Sequence, residues 1–296
     1  MKLISFLLLV CCCFSVRAEP LLAETTDDEV AYWYRNYDTK PTYDLLQLAL
    51  NETEEFYGSA DVLRSEYITQ GRAVVELESG HRNVVRLINV VGDEDREKNL
   101  LPVKIATDGG LIGLRVCIIR RDDQARFANI RSHTDIEKAG IIFGQGVHWP
   151  DTRILEANAF NVVSSARFEN LFTMLSEGRF NCFLRGANEA LEDLERYGKD
   201  DLMIEPGLLF AYPSASFFFV AKDDQDFAAR LELGLRRAVA DGRYAEHFNH
   251  YYRPSIDSLN LVKRRVIRLN NPLLSDETLL RSSERLRLSD GKLSIY

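Results

Sequence analysis

Gly144-Gln145-Gly146, followed at once by Trp149 and by Pro150-Asp151, is the stretch of this chain best suited to holding an anionic group. Free backbone N–H groups at a glycine turn, with the positive end of a helix opened by Pro150, make an anion cradle, and Gln145 adds a side-chain amide. The same spacing also fits a plain connection between a strand and a helix. Trp149 stands where an indole either stacks on a ligand or packs as a wall. Arg185 closes the apolar run Phe180–Leu184 just before Gly186 and brings a guanidinium toward the same edge. A ligand carboxylate is one partner for it, and Glu189, one helical turn on, is the other. Tyr34, Tyr37 and Tyr43 flank the end of the first predicted strand, where they would line a facing wall.

Other chemistries lack their residues. There is no G-x-S-x-G, no H-E-x-x-H and no Gly-Lys-Ser/Thr, so nucleophilic, metalloprotease and P-loop chemistry are not indicated. His247 and His250 share an i, i+3 spacing without carboxylate support and read as a solvated face. No catalytic residue, cofactor or metal is expected.

The elements that must position these groups are legible from periodicity. Ile141–Phe143 reads as a strand stopping at Gly144, Pro150-Asp151-Thr152 as a helix start, and Asn161–Val163 as a second strand. Phe168, Leu171, Phe172 and Leu175 fall on one helix face, and Phe180–Leu184 is a third strand. Strand ends and helix starts of such a β-α-β-α-β unit lie along one edge, where open α/β sheets bind ligands. Upstream, Val30–Arg35 reads as a strand, Thr42–Tyr57 as a helix, Ala73–Leu77 and Val84–Val91 as strands, Asp93–Lys98 as a charged turn, and Leu100–Ile105 as a strand. Leu111–Arg120 is long and β-branched, suited to leaving one lobe and entering another. Ser216–Val220, with three consecutive phenylalanines, suits a returning strand buried on both faces. Phe227, Leu231, Leu235 and Val239 mark a helix ending at Asp241-Gly242, and residues 253–296 read as an extended tail that frays after about 282.

The ends and the charge bound the compartment. Lys2, the apolar Leu3–Phe14 and Val16-Arg17-Ala18 form a secretory signal with cleavage after Ala18; an uncleaved anchor or lipid attachment at Cys11, Cys12 or Cys13 is the alternative. Losing Lys2 and Arg17 takes the net charge from −8 to −10, which argues against nucleic-acid binding. Only Cys117 and Cys182 remain after cleavage. They are either a disulfide formed in an oxidising compartment or two small buried hydrophobes on separate strands.

In this order the elements resemble the family 3 extracellular solute-binding proteins, the periplasmic polar-amino-acid type, as a divergent member. The resemblance rests on Asp95-Arg96-Glu97-Lys98, on Ile130–Gly146, on Leu175–Asn181 with its Gly178-Arg179 pair, and on Phe219–Tyr252 with Ala238–Tyr244. It covers roughly residues 28 to 252. It departs from the family in a degenerate first-lobe segment and in Asn181, where Asp is common. The resemblance implies an α/β fold of two Rossmann-like lobes joined by a two-strand hinge, of the type 2 periplasmic-binding-protein kind. Lobe 1 would be residues 25–113 plus 216–252, and lobe 2 residues 114–215. It aligns Arg96 with a carboxylate-clamping arginine, whose fork makes bidentate bonds; a surface ion pair with Asp93, Glu94 or Glu97 is the alternative.

The expected protein is therefore a periplasmic, monomeric, non-catalytic solute binder. It would take a small polar, carboxylate-bearing molecule on Arg96, Gly144, Gln145, Gly146, Trp149, Arg185 and Tyr37, and present it to a membrane permease or a sensor. A non-binding sensory or structural subunit, and a periplasmic lyase or dehydratase using Glu189 with Arg185, are the competing readings.

Overall fold

The computed structural model describes residues 29–274, together with the backbone of strands Leu286–Ser289 and Lys292–Ile295. The signal segment expected at residues 1–18 lies outside the described residues, and the tail expected to fray after about residue 282 carries an antiparallel hairpin of its own, Leu286 opposite Ile295 and Ser289 opposite Lys292. No helix among the described residues is long and apolar enough to cross a membrane.

The strands sort into two groups, called here the first and second lobes. In the first, β1 (Glu29–Tyr32) pairs in parallel with β2 (Asp61–Arg64), and a bridge from Tyr32 to Leu87 joins them to the sheet β3-β11-β4 (Ile88–Val91, Ser216–Ala221, Leu100–Pro102). In the second, β5 (Leu114–Arg120), β6 (Ile142–Gly146), β7 (Asn161–Ser165), β8 (Cys182–Gly186), β9 (Leu202–Ile204), β10 (Leu208–Ala211) and β12 (Arg265–Arg268) form one sheet. Its order is β12-β10-β5-β8-β6-β7, with β9 beside β5. The chain passes from first lobe to second between β4 and β5, and returns between β10 and β11. A further passage carries it from the Arg243–Ser258 helix, packed in the first-lobe core, to β12 at the edge of the second-lobe sheet. The segment expected to be an extended tail from residue 253 thus begins as helix and contributes a strand.

Alternation places Phe217 and Phe219 in one core cluster with Trp33, Ile88 and Leu100, and Phe218 in another with Tyr32. The three aromatics bury both faces of β11, as a strand sandwiched between helices requires. The Phe168–Ser176 helix buries Phe168, Leu171, Phe172 and Leu175 against Phe180 and Phe183. On adjacent antiparallel strands, Cys117 of β5 stands opposite Leu184 of β8, and Cys182 lies two residues along; the two sulfurs are bonded.

Two segments fold otherwise than their composition suggests. Gln70–Glu78, expected to contain a strand at Ala73–Leu77, is a helix: Thr69 caps it by accepting from Arg72 N, and Ala73, Glu76 and Leu77 are buried at helical spacing. Apolar Val74 and Val75 imitated a strand, but the period of burial is 3–4 rather than 2. Glu94–Asn99, expected to be a turn, is a helix capped by Asp93, whose carboxylate accepts from Arg96 N at 2.9 Å. Acidic residues in its first turn favour the helix through the backbone dipole.

Candidate functional site

A cavity of about 180 Å³ lies between the lobes and is walled by both. The first-lobe wall is built by the turn after β1. Asn36 donates to Asn89 O at 2.9 Å and accepts from Asn89 N at 2.7 Å, pinning Trp33–Asn36 to β3. Asn89 in turn donates to Thr107 Oγ1 at 2.8 Å, and Thr107 donates to Ser216 O at 3.1 Å.

Asp108 ties the two lobe crossings at the floor. Its carboxylate accepts from Gly110 N at 3.1 Å and Ile112 N at 2.9 Å on the outgoing chain, and from Ser216 N at 3.2 Å on the returning one. Burial pushes its pKa up to about 6, outweighing the three backbone donors that pull it down. The folded protein therefore keeps a proton here that the unfolded chain, near 3.8, has shed. Stability from this group is complete below about pH 4 and is lost as pH rises through about 6. Asp108→Asn, which cannot ionise, should remove that dependence. Between pH 4 and pH 7 the wild type should lose about 2–3 kcal/mol more than the variant in urea unfolding.

Arg115 rises from β5 into the same floor and is 1% exposed. Its Nη2 lies 2.7 Å from Asp151 Oδ1 as an ion pair, and Tyr212 donates its hydroxyl to the same carboxylate. Among the described residues Arg115 Nε and Nη2 have no hydrogen-bond acceptor. The second-lobe wall carries Arg185, whose Nε donates to Asp193 Oδ2 at 2.7 Å and whose Nη2 lies 3.0 Å from Glu189 Oε2. That second contact is out of line, because Glu189 Oε2 and Asn188 Oδ1 are both buried without a hydrogen-bond donor among the described residues. The Arg185 guanidinium sits 4.8 Å above the Trp149 ring. In all, seven carboxylates and four guanidinium groups face the cavity.

Of the residues singled out from sequence, Tyr34, Trp149 and Arg185 line this cavity, together with Glu189 and the Pro150-Asp151 helix start. Gly144 and Gln145 do not, and with Gly146 they form the body of β6 rather than a turn. The three pair with Val163, Ser164 and Ser165 of β7, and Gly144 also pairs with Phe183. Their glycines answer to aromatic rings instead. A Cβ on Gly144 would collide with the Phe180 ring, and one on Gly146 with the Trp149 indole. Gln145 is wholly buried and donates to Leu184 O at 2.9 Å. Tyr37 packs against Tyr43, ring centroids 4.9 Å apart, away from the cavity walls. Arg96 is buried outside the cavity: it donates to Val91 O and to His148 O, and lies 3.2 Å from Asp93.

Arg115, Asp108 and Tyr212 were not legible as site residues, and Asp151 only as a helix start. The available signal for Arg115 is its place as the one charge inside Leu114–Ile119, where a buried cation needs a partner. For Asp108 it is the short polar side chain immediately before Gly109-Gly110, a turn-forming pattern.

No family model and no curated protein matches the sequence. Solved structures do match. An ancestral arginine-binding protein bound to glutamine superposes with a TM-score of 0.59 at 13% identity, covering 77% of this chain and 99% of its own. The amino acid ABC transporter substrate-binding protein AbpA of Streptococcus pneumoniae, bound to L-arginine, gives 0.57 at 16%, covering 77% and 96%. The ancestral amino-acid-binding protein AncCDT-1, a precursor of cyclohexadienyl dehydratase, gives 0.56 at 11%, covering 76% and 96%. These likenesses define the fold as the two-lobed type 2 periplasmic-binding-protein fold. The chain is a divergent example of that fold, with a passage from the Arg243–Ser258 helix back into the second lobe.

Proposed function

We propose that this protein is an exported, monomeric solute binder that captures a small zwitterionic molecule between its lobes without transforming it, for delivery to a membrane permease or a sensor. The observation that carries the reading is Arg115: a buried guanidinium at the cavity floor whose Nε has no hydrogen-bond acceptor among the described residues, while its Nη2 meets Asp151 alone, as an ion pair. Leaving a buried donor unmet costs about 1–3 kcal/mol, and a ligand carboxylate would meet Nε while sharing Nη2 with Asp151. The excess of carboxylates and the unmet acceptors Asn188 Oδ1 and Glu189 Oε2 call for a cationic, donor-bearing group on the same ligand. A simple anion would meet seven carboxylates and only four guanidinium groups, two of them already paired. The volume of about 180 Å³ is below the usual range of about 300–1,000 Å³ for small-molecule pockets, which favours a compact solute. The similar folds carry glutamine and L-arginine, both zwitterions.

A thermal-shift screen over amino acids, small organic acids and amines, followed by calorimetry, tests this. Zwitterions should raise the melting temperature, by the equivalent of about 3 kcal/mol at a hundredfold excess over Kd, whereas simple monocarboxylates should not. Stabilisation by monocarboxylates alone would overturn the zwitterion assignment. A flat screen would favour a non-binding sensory subunit.

A further inference from the structure

The geometry points to the turn Glu94-Asp95-Arg96 as a latch that holds the two lobes together. The Glu94–Asn99 helix follows β3 and belongs to the first lobe. Each residue of its first turn makes one bond to the second lobe. Glu94 N donates to Leu273 O at 2.9 Å, and the Leu273 side chain packs in the second-lobe core with Phe210 and Ile267. Asp95 Oδ2 pairs with Arg153 Nη1 at 2.6 Å. Arg96 Nη2 donates to His148 O at 3.1 Å. His148 and Arg153 bracket the start of the helix that supplies Asp151 to the cavity floor, so the latch engages the wall that would swing.

Because these residues are consecutive on one helical turn, they engage or release together, and opening the cleft must break all three bonds. Asp93 stiffens the turn by accepting from Arg96 N and pairing with the Arg96 guanidinium. The inward fold of Arg96 thus serves lobe contact rather than ligand contact. For the two bonds to backbone carbonyls, a net contribution of about 1 kcal/mol each corresponds to a roughly fivefold change in the closed-to-open ratio per bond removed, and the exposed Asp95–Arg153 pair adds a smaller, salt-screened share.

Glu94 is the first helical position, preceded by Asp93 in an extended conformation (φ −149°, ψ 162°). Both positions accept proline at Glu94, so Glu94→Pro deletes the N–H donor while keeping the helix. Asp95→Lys, at an exposed site, turns the Arg153 pair into a repulsion. The experiment uses the full protein without added solute, spin-labelled at exposed Lys138 and Lys222, with inter-lobe distances read by pulsed electron paramagnetic resonance. Glu94→Pro/Asp95→Lys should move the distribution toward longer distances, with at least a fivefold rise in the open fraction, while Glu94→Ala, which keeps the N–H, should match the wild type. Circular dichroism checks that each variant is folded. Coincident distributions for the double variant and the wild type would overturn the latch. Since no solute enters the readout, a cleft that binds nothing would leave this result unaffected.

Discussion

Arg115→Leu is expected to lower stability by about 3–5 kcal/mol and to abolish solute capture, whereas adding Asp151→Asn should restore most of the stability but none of the capture. The loss follows from what remains. Asp151 is 3% exposed, and without Arg115 its side chain would keep, among the described residues, the Tyr212 hydroxyl as its one hydrogen-bond partner. Removing one member of a buried pair strands the other, which is why the penalty far exceeds the net value of the pair. Asparagine at 151 removes the stranded charge and still accepts from Tyr212, so the double variant separates stability from recognition. Urea unfolding reads the first quantity and calorimetry with the best-binding solute reads the second. A single variant that loses less than about 1 kcal/mol would mean that Asp151 is rescued by solvent. A single variant that still binds at full affinity would remove Arg115 from the site.

How far the sequence discloses this molecule depends on whether the partner of each residue is near or far along the chain. Helix faces such as Phe168–Leu175 and the doubly buried Phe217–Phe219 are local patterns, and they fold as their periodicity demands. The order of elements from β6 to β8 is legible for the same reason, whereas β9, β10 and β12 are short strands without a helix face or long apolar run to mark them. Gly144 and Gly146 mislead because a Gly-x-Gly is locally a turn signal. The residue that requires Gly144 to be glycine is Phe180, 36 positions away on the approach to a neighbouring strand. Arg96 misleads differently. A motif assigns it a place in the chain, but its guanidinium turns toward Val91 O and His148 O, and only the assembled lobes offer the second of these. The cavity floor depends on the same long-range geometry. Asp108 and Ser216 are joined by a hydrogen bond across 108 residues, and Arg115 meets Asp151 only when the crossing strand and a second-lobe helix are in place.

Breaking the Cys117–Cys182 bond should cost about 4 kcal/mol and should act on the second lobe alone. The bond closes a loop of 65 residues that contains β6, β7 and the helices between them. Freeing a loop of that length raises the entropy of the unfolded chain by an amount worth about 4 kcal/mol at 25 °C. Both cysteines are completely buried between the two middle strands of the sheet, so Cys117→Ala/Cys182→Ala adds a small packing loss to the entropic one. Neither sulfur touches the cavity or the Glu94–Arg96 turn. The alanine pair should therefore unfold at lower urea, yet show the wild-type inter-lobe distance distribution and the wild-type affinity of the protein that remains folded. Reduction of the wild type should reproduce the stability loss of the double variant to within about 1 kcal/mol. Equal stability of the oxidised and reduced forms would show that residual structure already restricts the loop in the unfolded ensemble. A changed affinity at equal folded fraction would show that strain in β5 reaches Arg115, two residues from Cys117 on the same strand.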